Sequence, residues 1–252
     1  MVVATSSDWI RRYSSPLKPR IRLLCLPHAG GAATFFHGWA RAFGNDIEVL
    51  AACYPGRQHR INEPCLPSIE AMADALTEEM LAYADAPLAI FGHSMGATLA
   101  YEITLRLHRQ HDIVPTALLL SSREPPHRVT PINADPDDQA SVVAEVHRLG
   151  GTDSEVLADP DLRDLVLPAI RSDFRLVNDY AARPGVPLPC PVVGYVGSSD
   201  PDLDDGVMRD WGDLAPEGFD LVTLQGDHFY LVDREEELTA DIRARLRTTP
   251  LG

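Results

Sequence analysis

Gly92-His93-Ser94-Met95-Gly96 spells G-x-S-x-G, between the apolar run Leu88–Phe91 and a helical pattern from Met95 to about Gln110. A sharp strand-to-helix turn at such a site strains the serine backbone and pushes Oγ clear of the sheet. The flanking glycines avoid a Cβ clash with the neighbouring strand and helix. The turn also sets Ser94 at a helix N-terminus, where negative charge is favoured. A lone hydroxyl is a poor nucleophile and needs a base, which in turn needs an orienting acid. With this kind of turn the chain order is Ser, acid, His. Of the nine histidines only His228 follows the last strand pattern, in Gln225-Gly226-Asp227-His228-Phe229. His93 adjoins the nucleophile and is expected to point elsewhere. The acid should follow the preceding strand, which makes Asp200 the first choice, with Asp202, Asp204 and Asp205 as alternatives; a turn carboxylate before Pro201 is the structural reading of Asp200. Acyl transfer also needs donors for the developing oxyanion. The Met95 N–H is one. The other should come from His28-Ala29-Gly30-Gly31 after the first strand, with Ala29 preferred over Gly30.

These residues need elements to hold them. Ile21–Leu26, Val49–Cys53, Leu88–Phe91, Ala117–Leu120, Pro191–Val196 and Leu221–Leu224 read as short buried strands. Between them lie helical patterns at Thr34–Phe43, at Ser68 to about Ala84 with Ser68 as cap, and after Ser94. A final helix is expected to start near Asp233, with Glu236 in capping-box position. This alternation predicts an α/β fold with a mainly parallel sheet covered on both faces. Residues 123–189 break the rhythm. Asp135 and Pro136 are suited to start one helix. A second pattern runs from Leu162 to Val177, with a break expected at Pro168. We read residues 1–252 as one domain in which 123–189 form a helical lid inserted before the strand that carries the acid. The insertion leaves from a strand's carboxyl end, where ligands bind in such sheets.

The chain has 252 residues, 45% of them hydrophobic and 23% charged, which is a globular composition. Its net charge of −15 argues against a nucleic-acid partner. The first 60 residues carry a net +5, a patch that reads either as scattered solvated arginines or as a docking face. The four cysteines show no metal-ligand spacing and read as reduced structural thiols. With no leader-like apolar segment and no apolar run of membrane-spanning length, a cytoplasmic protein free of membrane is expected.

Taken in order, Leu26-Pro27-His28-Ala29-Gly30-Gly31, Tyr54-Pro55-Gly56-Arg57-Gln58, the Ser94 pentapeptide, Pro168-Ala169-Ile170-Arg171-Ser172-Asp173-Phe174, Asp200-Pro201 and Gly226-Asp227-His228-Phe229 resemble the type II thioesterases that accompany polyketide and nonribosomal peptide synthetases. The resemblance spans nearly the whole chain. It implies an α/β-hydrolase fold with a helical lid. It also implies editing chemistry, in which acyl groups are hydrolysed from the phosphopantetheine arm of acyl or peptidyl carrier proteins. The arm belongs to the partner, so no cofactor is expected. Nothing in the sequence suggests a metal site, and a monomer is expected. Ser94, His228 and Asp200 would be the triad, with Ala29 and Met95 as oxyanion donors. Arg57 and Arg60 are candidates for meeting a phosphate or an acidic carrier surface, against a structural reading as loop arginines. Phe174 and Tyr180 are candidates for lining an acyl channel, against simple core packing. Two other functions remain open at this point. A carboxylesterase or lipase would use the same triad, and a non-catalytic binding protein of the same fold would leave Ser94 unreactive.

Overall fold

A computed structural model describes residues 8–13, 16, 18–150, 157 and 159–248. Seven strands form one sheet: β1 (Ile10–Arg12), β2 (Ile21–Leu26), β3 (Ile47–Ala52), β4 (Leu88–His93), β5 (Ala117–Ser121), β6 (Val192–Gly197) and β7 (Phe219–Leu224), in the order β1-β3-β2-β4-β5-β6-β7. All pairs are parallel except β1 with β3. The strands from β2 to β6 are buried along their whole length, which is why they read as continuous apolar runs. Alternate residues serve opposite layers. Leu24, Leu26, Ile90 and Leu120 pack under α2 (Ile69–Met80) and α3 (Met95–His111). Leu23, Cys25, Phe91 and Leu119 pack under α1 (Trp39–Phe43) and the C-terminal helix.

β2 pairs with β3 on one side and β4 on the other. The chain therefore reverses its direction of travel across the sheet there. Loops leaving the carboxyl ends of β2 and β4 diverge and open a crevice between them. One loop carries His28–Gly31 and the other carries Ser94.

Several local expectations are corrected. Thr34–Phe43 is not one helix but a 3-10 turn, Ala33–Phe36, followed by α1, with Gly38 between them. Helix α4 (Gln139–Leu149) is capped by Asp138, not Asp135; the Asp135 carboxylate instead accepts the Asp137 N–H within the preceding turn. Helix α5 (Pro160–Asp179) runs unbroken through Pro168. Both Pro168 and Asp164, whose carbonyl loses its partner, are exposed, so the freed carbonyl lies on the solvent side of the helix. After the short α6 (Asp205–Arg209), Asp233 closes α7 (Tyr230–Asp233), and the last helix, α8 (Glu235–Thr248), starts two residues beyond it. Strand β1 was not anticipated, because two of its three residues are exposed arginines.

Helices α4 and α5 lie between β5 and β6 in sequence and share a small apolar cluster of their own through Val142, Leu167, Ile170 and Phe174. Residues 151–156 and 158 of the expected lid lie outside the described residues. Among the described residues no helix is long and apolar enough to cross a membrane. All four cysteines are free thiols.

Candidate active site

Ser94 sits in the turn between β4 and α3 with φ 54° and ψ −118°. For a residue with a side chain this conformation costs on the order of 1–3 kcal/mol, and the surroundings enforce it. The Ser94 N–H donates to the Ser121 carbonyl at 2.8 Å, extending the β4–β5 ladder into the turn. A Cβ on Gly92 would lie 2.1 Å from the Gly96 carbonyl oxygen, and one on Gly96 would lie 2.0 Å from that of Leu26. Only glycines let strand, helix and the neighbouring strand close around the serine.

The turns after β6 and β7 are tied together by Ser198 N–H to Leu224 O and Ser199 N–H to Gly226 O, both 2.8 Å. This brings Asp200 and His228 into contact, with Asp200 Oδ2 and His228 Nδ1 2.8 Å apart. The Asp200 side chain is wholly buried. Burial alone would raise its carboxyl, but the hydrogen bond and charge of His228, helped by the Asp202 N–H, outweigh this and hold it below the usual aspartate value. The three neighbouring carboxylates have other partners. Asp202 pairs with Arg148, Asp204 caps α6 through the Val207 N–H, and Asp205 accepts from Thr223.

Ser94, His228 and Ala29 line one cavity of about 1010 Å³, its open mouth included. Ile170, Phe174 and Val177 of α5 and Val146 and Leu149 of α4 form its apolar side, with Arg123, Glu124 and Asp202 among the polar residues. The Gly30 N–H is already bonded to Asp173 at 2.7 Å. Among the described residues neither the Ala29 nor the Met95 N–H has an acceptor, so both stand open where that of Gly30 is taken.

His93 does not point away. Its ring centroid lies 5.1 Å from that of His228, and its Nδ1 is 2.9 Å from Ser121 Oγ, which in turn meets the Tyr230 hydroxyl at 2.7 Å. His28 packs against His93 and Phe229. Burial, reinforced by His228 and Arg57, pushes His28 down to about 3, and burial with the two neighbouring imidazoles holds His93 well below the ordinary histidine value. Both rings are therefore neutral at neutral pH and add no positive charge beside His228. In the unfolded chain both regain the ordinary value of 6.5. Stability from keeping them neutral is complete above pH 6.5 and is lost as pH falls toward their depressed native values. The two together give a slope of about 2.7 kcal/mol per pH unit well below 6.5. Urea unfolding between pH 7 and 4.5 measures it, and a slope of less than one proton would show that these rings are protonated in the fold.

The two arginines named as docking candidates are corrected. Arg57 is only 7% exposed and forms a double hydrogen-bonded ion pair with Asp173, at 2.7 and 2.8 Å. Arg60 is 6% exposed, binds Glu63 and the Cys53 carbonyl, and stacks 4.0 Å from the Trp9 ring. Neither offers a free charge to a partner. Tyr180 is corrected too: it is buried outside the Ser94 cavity, with its hydroxyl donating to Glu102 at 2.7 Å. Phe174 alone of the two aromatic candidates reaches the cavity. Asp173 was not singled out, although a carboxylate between Ile170 and Phe174 on the apolar face of a helix was a signal to be read.

The Thioesterase domain family pattern matches residues 21–246. Thioesterase PikA5 of Streptomyces venezuelae is 38% identical over 247 residues, covering 97% of this chain and 87% of that protein. The gramicidin S biosynthesis protein GrsT of Aneurinibacillus migulanus is 29% identical over 249 residues, covering 97% and 96%. Among solved structures, the type II thioesterase BorB from the borrelidin biosynthetic cluster has a TM-score of 0.87 at 38% identity, covering 97% of this chain and all of that one. YbtT, the type II thioesterase from the yersiniabactin NRPS/PKS pathway, has a TM-score of 0.85 at 27% identity, covering 96% and 99%.

Proposed function

The chain belongs to the thioesterase family and has its α/β-hydrolase fold, and from that premise we propose that it is a stand-alone editing enzyme. It hydrolyses acyl groups from the phosphopantetheine arm of acyl or peptidyl carrier proteins of a polyketide or nonribosomal peptide synthase. The observation that carries this reading is the single cavity that Ser94, His228 and Ala29 line together, with Asp200 bonded behind His228.

In the mechanism, Ser94 Oγ attacks the thioester carbonyl carbon while His228 Nε2 takes the hydroxyl proton. Asp200 at Nδ1 keeps the imidazole in the tautomer that leaves Nε2 free to accept. The tetrahedral oxyanion receives the Met95 and Ala29 N–H groups, with the N-terminus of α3 behind Met95. When the carbon–sulfur bond breaks, His228 returns the proton to the departing thiol. Water then attacks the acyl-serine, with His228 again taking its proton, and the free acid and Ser94 hydroxyl are released. Helices α4 and α5 act as the lid, and their apolar side receives the acyl chain.

The test compares one short acyl group carried on a carrier protein, on coenzyme A and as a simple oxygen ester. The carrier-bound thioester is expected to give the highest kcat/KM, with activity lost in Ser94→Ala. Equal or better turnover of the oxygen ester would make the protein a general esterase.

A further inference from the structure

Asp173 is a buried carboxylate for which the reaction above has no use. Its side chain has no exposed surface. Oδ2 accepts the Gly30 N–H at 2.7 Å and Arg57 Nη1 at 2.7 Å, and Oδ1 accepts Arg57 Nη2 at 2.8 Å. Arg57 Nη1 also donates to the Gly31 carbonyl at 3.0 Å. The ion pair therefore grips the loop after β2 twice, by the N–H of Gly30 and the C=O of Gly31. Ile170, one turn earlier on α5, presses on the same residue: a Cβ on Gly30, whose φ is +78°, would lie 2.6 Å from Ile170 Cγ1. Ala29, whose N–H is without an acceptor among the described residues, is held immediately before this clamp and lines the same cavity as Ser94.

We propose that Asp173, braced by Arg57, is a positioning residue for the oxyanion donors, holding the Gly30 peptide so that the Ala29 N–H faces the reacting carbonyl. This rests on the acyl-transfer reading of the site. It gives α5 two tasks at once, because the helix that offers Ile170, Phe174 and Val177 to the acyl chain also sets the donor geometry. A donor displaced by about 1 Å loses much of its effect on the transition state, since the benefit depends on placement fixed before reaction.

The alternative is a core ion pair that matters only for folding. Removing one partner of a buried pair leaves an uncompensated charge, whereas replacing both with apolar groups tends to preserve the fold. The deciding variant is therefore Arg57→Leu combined with Asp173→Leu, with turnover expressed per folded molecule by near-ultraviolet circular dichroism. The expected result is a fall in kcat of about 10²-fold or more, a KM within about threefold, and an unchanged midpoint in the pH profile. The rate of Ser94 phosphonylation by a fluorophosphonate, whose oxygen occupies the same donors, should fall in parallel. Asp173→Asn, whose side-chain carbonyl still accepts the Gly30 N–H, combined with Arg57→Leu so that no charge is left unpaired, should retain kcat within about tenfold. A double-leucine variant with kcat per folded molecule within threefold of the parent would overturn the proposal, as would an Asn variant that falls as far as the double-leucine variant. If the double-leucine variant does not fold, Asp173→Ser with Arg57→Met, too short at 173 to reach Gly30, is judged by the same figures. If the parent phosphonylates but leaves carrier thioesters intact, the substrate reading has failed, and the phosphonylation rates still decide the role of Asp173.

Discussion

Ser94→Ala is expected to lower kcat for thioester hydrolysis by about five to six orders of magnitude. The loss follows from what the residue alone supplies. Among the described residues no other hydroxyl that lines this cavity stands at the start of a helix, although Ser122 shares the positive φ, at 47°. Ser122, which also lines the cavity, follows β5 and has no helix starting behind it. The substitution removes Oγ without changing the backbone, and alanine tolerates a positive φ no worse than serine does. Stability should therefore stay within about 0.5 kcal/mol, as for a change that removes no packing. Steady-state hydrolysis and mass spectrometry of the trapped acyl-enzyme measure both halves of the expectation. An acyl adduct that still forms on the Ala variant would place the nucleophile elsewhere.

Asp200→Asn should cost about 10⁴ in kcat while leaving the fold intact. The exchange is nearly isosteric, and the side chain is wholly buried against His228. As a carboxylate, residue 200 accepts a proton from Nδ1, so Nε2 is left to accept from Ser94. An amide turned to donate to Nδ1 moves the ring proton to Nε2, and the base is lost without any movement of atoms. Charge matters as well: the carboxylate stabilises the imidazolium that forms as Ser94 attacks, and the amide does not. Asp205→Asn is the control, since that carboxylate faces Thr223 instead. If Asp200→Asn retained more than about a tenth of the parent kcat, with the residual rate insensitive to pH, Asp200 would be only a turn residue.

Both effects depend on an order, Ser94, Asp200, His228, that is written in the chain. The G-x-S-x-G turn was legible because its glycines have a steric cause confined to the β2–β4–α3 junction. The strands were legible because a parallel sheet covered on both faces demands unbroken apolar runs, and the errors there were of one or two residues at their ends. Helix boundaries were less so. Pro168 stays inside α5 because its unbonded side faces water, and Asp135 yields the cap to Asp138 because the turn before α4 is longer than the first cap signal suggested.

By itself the sequence determined the fold class and the turn at Ser94, and it narrowed the candidates to one nucleophile, one histidine and a short list of four acids, because each rests on local sterics or on chain order. Only the tertiary structure chose among the rest. Asp200 is separated from Asp202, Asp204 and Asp205 by which of them meets His228, and that depends on two turns tied together across β6 and β7. Arg57 and Arg60 carry charge in the sequence, but whether that charge is free depends on Asp173, 116 residues away, and on Glu63 and Trp9. The N–H of Gly30, unlike that of Ala29, is taken by the same Asp173, reaching across 143 residues. Hydrogen bonds and ion pairs are contacts between surfaces that only folding brings together, so the sequence states what a side chain can do, and its partner in space decides what it does.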